Sequence, residues 1–179
     1  MVDIDILKFP IGVFKYPSTI TQEVMNEWIS DIASFPDRLS KEVTDLTEDQ
    51  LDVLYRPDGW SIRQVVHHCA DSHMNSLMRL KLALTEEAPL IKPYFEDRWA
   101  ELIDTRQMPI HSSLLLLEGI HAKWTLLLNN LSEEQYKRTY IHPEHGKVIS
   151  ILECTGMYAW HCNHHLAHIT ATKKSNDWK

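Results

Sequence analysis

The segment WHCNHHLAHI, residues 160–169, places His161, His164, His165 and His168 at i, i+3, i+4 and i+7. On a helix this spacing puts all four on one side. Two pairs, His161/His165 and His164/His168, stand four residues apart, the separation at which two imidazoles can share one ion. Histidine is the commonest metal ligand, and a chain with 11 histidines invites that reading. The apolar residues choose between the pairs. With His161 at zero on a wheel of about 100° per residue, Ile151, Cys154, Tyr158, Cys162, Leu166 and Ile169 fall between about 20° and about 140°. His165 falls at about 40°, inside that arc, and His161 at its edge. His164 falls at about 300° and His168 at about 340°. The pair expected to face a core is therefore His161/His165, with His164 and His168 flanking it or on the surface.

A third ligand is sought on another helix. SIRQVVHHCADSHMNSLMRLKLAL, from residue 61, carries an apolar stripe of Ile62, Val65, Val66, Cys69, Leu77, Leu80 and Leu84. His67 points away from it and is expected to be exposed. His68 lies at its polar margin beside Ser72, Asn75 and Arg79, while His73 lies within it. The polar surroundings favour His68 as a ligand, and helix geometry alone leaves His73 open, with a hydrogen-bonded core histidine as its ordinary role. Three neutral imidazoles with an open fourth position are the pattern of catalytic zinc sites, and nickel also accepts imidazole.

Four long helices must position these residues. The first runs from about Thr21, an N-cap with Ile20 and Met25 as hydrophobic staple, to about Leu46, with Pro36 expected to kink or split it. The second opens on the Ser61/Gln64 capping box and ends near Thr85, before Pro89 and Pro93. The third spans about Ser112 to Asn130 and the fourth about Ser150 to Lys174. TEDQ at 47–50, FEDRWAELID and SEEQ at 132–135 suggest short extra helices, and HPEHG the tip of a β-like turn. The fold expected is all-α, a four-helix bundle with at least one crossover connection, in which metal sites arise from facing helices. The 179 residues suit one domain.

Composition narrows the function classes. A net charge of -7 argues against a nucleic-acid partner. Cys69, Cys154 and Cys162 form no disulfide framework and fit reduced thiols. The start MVDIDILKFP does not read as a signal peptide, and no apolar run approaches a membrane span. A cytoplasmic protein is expected.

GWSIRQVVHHCADSHMNSLMRLKLALTEEAPLIKPY at 59–94, PIGVFKYP, HPEHGKVISI and YAWHCNHHLAHIT resemble the YfiT-type branch of the DinB superfamily over nearly the whole chain. The resemblance implies a four-helix bundle holding one metal ion through three histidines, carried over as His68, His161 and His165. It implies a metal-dependent hydrolase of a small molecule and a homodimer. In the wider superfamily, relatives transfer low-molecular-weight thiols such as bacillithiol. Asn163 stands where this branch can have histidine.

A three-histidine ion can lower the pKa of water from 15.7 to about 7, which points to hydrolysis. The same open position could hold a thiolate, which points to thiol transfer. Zinc is the expected ion and nickel the alternative. HExxH proteases carry a glutamate base beside the first histidine; here that position is Cys162. Asp71, one turn after His68, is the candidate base, with a surface carboxylate as its ordinary role. Cys154 shares the face of His161 and is expected to be a buried structural thiol rather than a ligand. A non-catalytic metal-binding stress protein, or histidines that merely pack, are the remaining alternatives.

Overall fold

Three of the four long helices, all but the third in chain order, begin where a side chain caps their free N–H groups. The structure, a computed structural model, describes residues 4–144 and 146–178, so Met1 to Asp3 of the acidic start and His145 of the HPEHG tip lie outside it. α1 (Ile4–Lys8) precedes α2 (Gln22–Val43), whose first turn is capped by Thr21. α3 (Glu48–Leu51) and α4 (Ile62–Thr85) open on reciprocal Thr47/Gln50 and Ser61/Gln64 boxes. α5 (Glu96–Trp99) and α6 (Ile103–Gln107) lead to α7 (His111–Leu128), and α8 (Glu133–Tyr136) opens on a Ser132/Gln135 box. β1 (Thr139–His142) pairs antiparallel with β2 (Lys147–Ser150), Tyr140 facing Ile149, and Ser150 then caps α9 (Ile151–Ser175). The expected β-like turn is thus a short hairpin.

α2, α4, α7 and α9 form the bundle. α2 packs on α7 and α9, and α4 packs on the same two. Consecutive α2 and α4 are therefore diagonal, as are α7 and α9. The crossovers are the 44–61 and 129–150 segments, whereas the long middle connection joins neighbours. Ile32, Phe35, Leu39, Ile62, Val65, Leu80, Leu117, Trp124, Leu128, Ile151 and Ile169 fill the interior, each worth about 1.5–3 kcal/mol of burial for a side chain of this size. Gly156 lets α9 approach α2: a Cβ there would come within 2.7 Å of the Trp28 ring.

Pro36 neither splits α2 nor ends it. Proline removes the N–H that would bond the carbonyl four residues back, here that of Ile32. That carbonyl is instead taken by a side chain of α7, described below.

The candidate metal centre

His68 comes from α4, and His161 and His165 from α9. The structure brings their rings together where the two helices pack. His68 Nε2 lies 3.4 Å from His161 Nε2, and His165 Nε2 lies 3.2 Å from the same atom. One nitrogen from each falls within 4.8 Å of the other two. Two nitrogens bound tetrahedrally to one zinc at 2.0–2.1 Å stand about 3.3 Å apart. The donor set therefore fits an ion, which would take one Nε2 lone pair from each ring. Trp60 packs on the His68 ring with centroids 4.6 Å apart. Burial, and then His164 and His168, push His68 down to about 3. Burial likewise holds His161 and His165 well below the ordinary imidazole value. All three are neutral at pH 7, the form that binds a cation.

Behind His161 runs a chain of rings. His161 Nδ1 meets His73 Nε2 at 3.0 Å, His73 Nδ1 meets His121 Nε2 at 2.7 Å, and His121 Nδ1 meets the Ile32 carbonyl at 2.5 Å. A carbonyl only accepts, so His121 carries its proton on Nδ1 and presents a lone pair at Nε2. His73 must then donate from Nδ1, and His161 in turn from its own Nδ1. The end of the chain is an unprotonated His161 Nε2 aimed at the other two ligands. An outer hydrogen bond that fixes the tautomer is how a ligating histidine is oriented. The acceptor that starts the sequence is the carbonyl freed by Pro36. His73, His121 and Cys162 also offer atoms within 4.8 Å of one another. The His73–His121 contact is a hydrogen bond, its nitrogens closer together than two ligands of one ion would stand.

The exposure expected of His67 is corrected, and of the two places left open for His164 and His168 they take the flanking one. His164 and His168 are buried, because the chain before α2 and the segment before α4 cover that side of α9. His168 stacks on Tyr55 at 4.0 Å and donates Nε2–H to the Lys8 carbonyl; His164 stacks on Trp160 at 4.4 Å, with Phe9 at 5.9 Å. Burial pushes both down to about 4. His164, His165 and His168 also have ligand atoms within 4.8 Å of one another. His67 is buried too, donating Nε2–H to the Met108 carbonyl and accepting from the Ser113 hydroxyl at 2.7 Å. It ties α4 to the start of α7. His73 is the fully buried core histidine its stripe predicts, with two hydrogen bonds rather than one.

The triad faces a cavity of about 430 Å³, lined also by Tyr55, Trp60, Ser72, Arg79, Tyr94, Glu96, His142 and Glu144. Asp71 is not among the lining residues. Its half-buried carboxyl is pushed up to about 6 by burial and by Asp104, so the group titrates usefully but stands off the cavity. Cys162 is fully buried and its thiol is pushed far up by burial. Cys154 sits 3.6 Å from the Ser76 hydroxyl as a buried thiol. Asn163 bridges Arg38 and Asp31 on α2, at 2.7 and 2.8 Å.

The DinB superfamily model matches residues 22–169, which include every ligand candidate. The chain belongs to the DinB superfamily. Its likeness to single relatives extends over nearly the whole chain. A protein of Oceanobacillus iheyensis, named "Putative metal-dependent hydrolase", is 53% identical over 171 residues, 96% of this chain and 98% of that protein. One of Bacillus cereus with the same name is 48% identical over 172 residues, covering 96% and 98%. The solved structure of YfiT from Bacillus subtilis is described as "a probable metal-dependent hydrolase with an unusual four-helix bundle topology". It superposes with a TM-score of 0.94 at 44% identity, covering 97% of this chain and 99% of that one. Sequence reasoning does not single out His121, Arg79 or His142 as parts of the site in this DinB-superfamily chain. His121 has a visible signal, a lone imidazole in the apolar run LLLLEGIHAKW. Arg79 shares the polar face of α4 with His68, a spacing that marks a neighbour but no role, whereas His142 has no signal, since the hairpin brings it to the cavity. No helix among the described residues is long and apolar enough to cross a membrane.

Proposed function

We propose that His68, His161 and His165 hold one divalent ion, zinc first and nickel as the alternative, and that the protein is a metal-dependent hydrolase of a small molecule. The observation that carries the reading is the 3.4 and 3.2 Å separation of the three Nε2 atoms. The names of the relatives support it. Such an ion supplies Lewis acidity and makes water nucleophilic near neutral pH. The chain's own residues supply the rest. Burial keeps the three imidazoles neutral, His73 and His121 hold the proton of His161 on Nδ1, and Trp60 fixes the His68 ring. Ser72 and the Tyr158 hydroxyl, 3.2 Å apart, hold the wall between α4 and α9. A base for water has to come from the lining, where Glu96, Glu144 and His142 are the carboxylates and the imidazole outside the histidine cluster of α4 and α9.

Elemental analysis of the purified protein tests this. One equivalent of metal per chain is expected, lost in His68→Ala and in His161→Ala. Metal retained at full occupancy in His68→Ala would sink the assignment. The metal-loaded protein is then assayed with ester and amide substrates and, separately, with a thiol plus an electrophile. Ester or amide turnover abolished by His68→Ala is the expected result. Turnover with the thiol alone would replace hydrolysis by thiol transfer.

A further inference from the structure

Arg79 is a charged side chain whose position the metal site does not explain. It is 7% exposed and lies in the lining of the cavity. Among the described residues it makes no ion pair, and its Nε has no hydrogen-bond partner. Arg63, equally buried, shows the contrast: its guanidinium is held by Asp52 at 2.7 Å and by Glu48. A guanidinium keeps its charge in a protein, and an uncompensated buried charge is among the costliest groups to fold around. Tyr140, Cys154 and Tyr158, its buried neighbours, are neutral. Glu96 and Glu144 also line the cavity but are exposed and do not pair with it.

His68, Ser72 and Arg79 stand at i, i+4 and i+11 on α4, hence on one face. Their backbone positions span about 16 Å at 1.5 Å per residue. Helical side chains lean toward the N-terminus, so the guanidinium leans back toward the triad, leaving a gap on the order of 10 Å. We propose that Arg79 is the anchor for a terminal oxyanion of the substrate, which lies along the cavity with its reacting end at the histidine triad. The substrate class is then a small anionic ester or amide, its carboxylate or phosphate held in the bidentate manner that guanidinium favours. This rests on the metal reading above, and its test separates the two.

The probes are suberic acid monohydroxamate, which carries a metal-binding group at one end and a carboxylate at the other, and its neutral methyl ester. Calorimetry on the metal-loaded protein should show the acid binding at least ten times more tightly than the ester. Arg79→Met should abolish that preference and leave ester affinity unchanged. A monophosphate-ended hydroxamate in the same titration tells which oxyanion is preferred. No preference in the wild type, or a preference that survives Arg79→Met, overturns the proposal. A second arm needs no metal. If Arg79 is kept for a ligand, Arg79→Met in the metal-free protein should raise the melting midpoint by about 2–8 °C, since the charge is unpaired. A fall would mean that Arg79 supports the fold, and the anchor would be rejected. If neither hydroxamate binds and His68→Ala keeps its metal, the metal reading fails, while the melting arm still decides Arg79.

Discussion

The histidines on the two sides of the triad are held in different ways. On the inner side, His161, His73 and His121 pass one hydrogen bond along to the Ile32 carbonyl, so the protons are assigned one after another. On the outer side, His164 and His168 are held mainly by stacking and His165 by edge-on ring contacts, and the Nδ1 of each is buried with no hydrogen-bond partner among the described residues. The difference teaches that a ligand can be fixed by bonding or by packing, and that α9 uses one for each of its two ligand candidates. His161 is oriented from behind, whereas His165 is wedged among His161, His164 and His168.

The contrast breaks most directly at His121. His121→Phe keeps an aromatic ring beside Phe35 and Trp124 but removes the acceptor of His73 Nδ1. His73 is then free to place its proton on Nε2, against His161 Nδ1, which pushes the His161 proton toward the ligand nitrogen. Metal affinity, measured by chelator competition, should fall about 10–100-fold, the usual loss when the outer partner of a ligand is removed. His121→Gln, which can both accept and donate, should recover part of it. In metal-free wild-type protein, nitrogen-15 spectra should show His73, His121 and His161 all protonated at Nδ1. An Nε2–H signal for any of them breaks the chain.

Acid tests both regions together, through stability. His121 and His168 are held near 4 by burial, below the ordinary 6.5. Above pH 6.5 they are neutral in folded and unfolded chains alike. As pH falls from 6.5 toward 4, the unfolded chain takes up protons that the folded one refuses, so stability drops. Urea unfolding of the metal-free protein at pH 7.5 and 5.0 should show a loss on the order of a few kcal/mol. A flat profile would mean that these rings are charged or exposed in solution.

How far the sequence reaches follows the same divide. Spacing within one helix makes the His161/His165 pair legible, and three Thr/Ser-to-Gln boxes mark α3, α4 and α8 where they begin. His68 falls at the polar margin of α4, and the family resemblance chooses it over His73. What spacing cannot carry is coverage from distant parts of the chain. The helical wheel treats one face as wet, but Lys8, Phe9 and Tyr55 lie over His164 and His168, and Met108 and Ser113 close over His67. Pro36 reads as a break because its missing N–H is a local fact, whereas the use of the Ile32 carbonyl by a ring 89 residues away is not.

The smallest effect is expected where the outer region is altered alone. His168→Phe retains a ring over Tyr55 and loses only the bond to the Lys8 carbonyl. A single such bond is worth about 0.5–1.5 kcal/mol, and its loss falls on the junction between α1 and α9. Metal affinity should stay within about threefold of wild type, against the 10–100-fold expected at His121. Amide exchange along Ile4–Lys8 should quicken at the same time. A tenfold or larger loss of metal would mean that the outer rings hold the ion as firmly as the inner ones, and the two sides would no longer differ in kind.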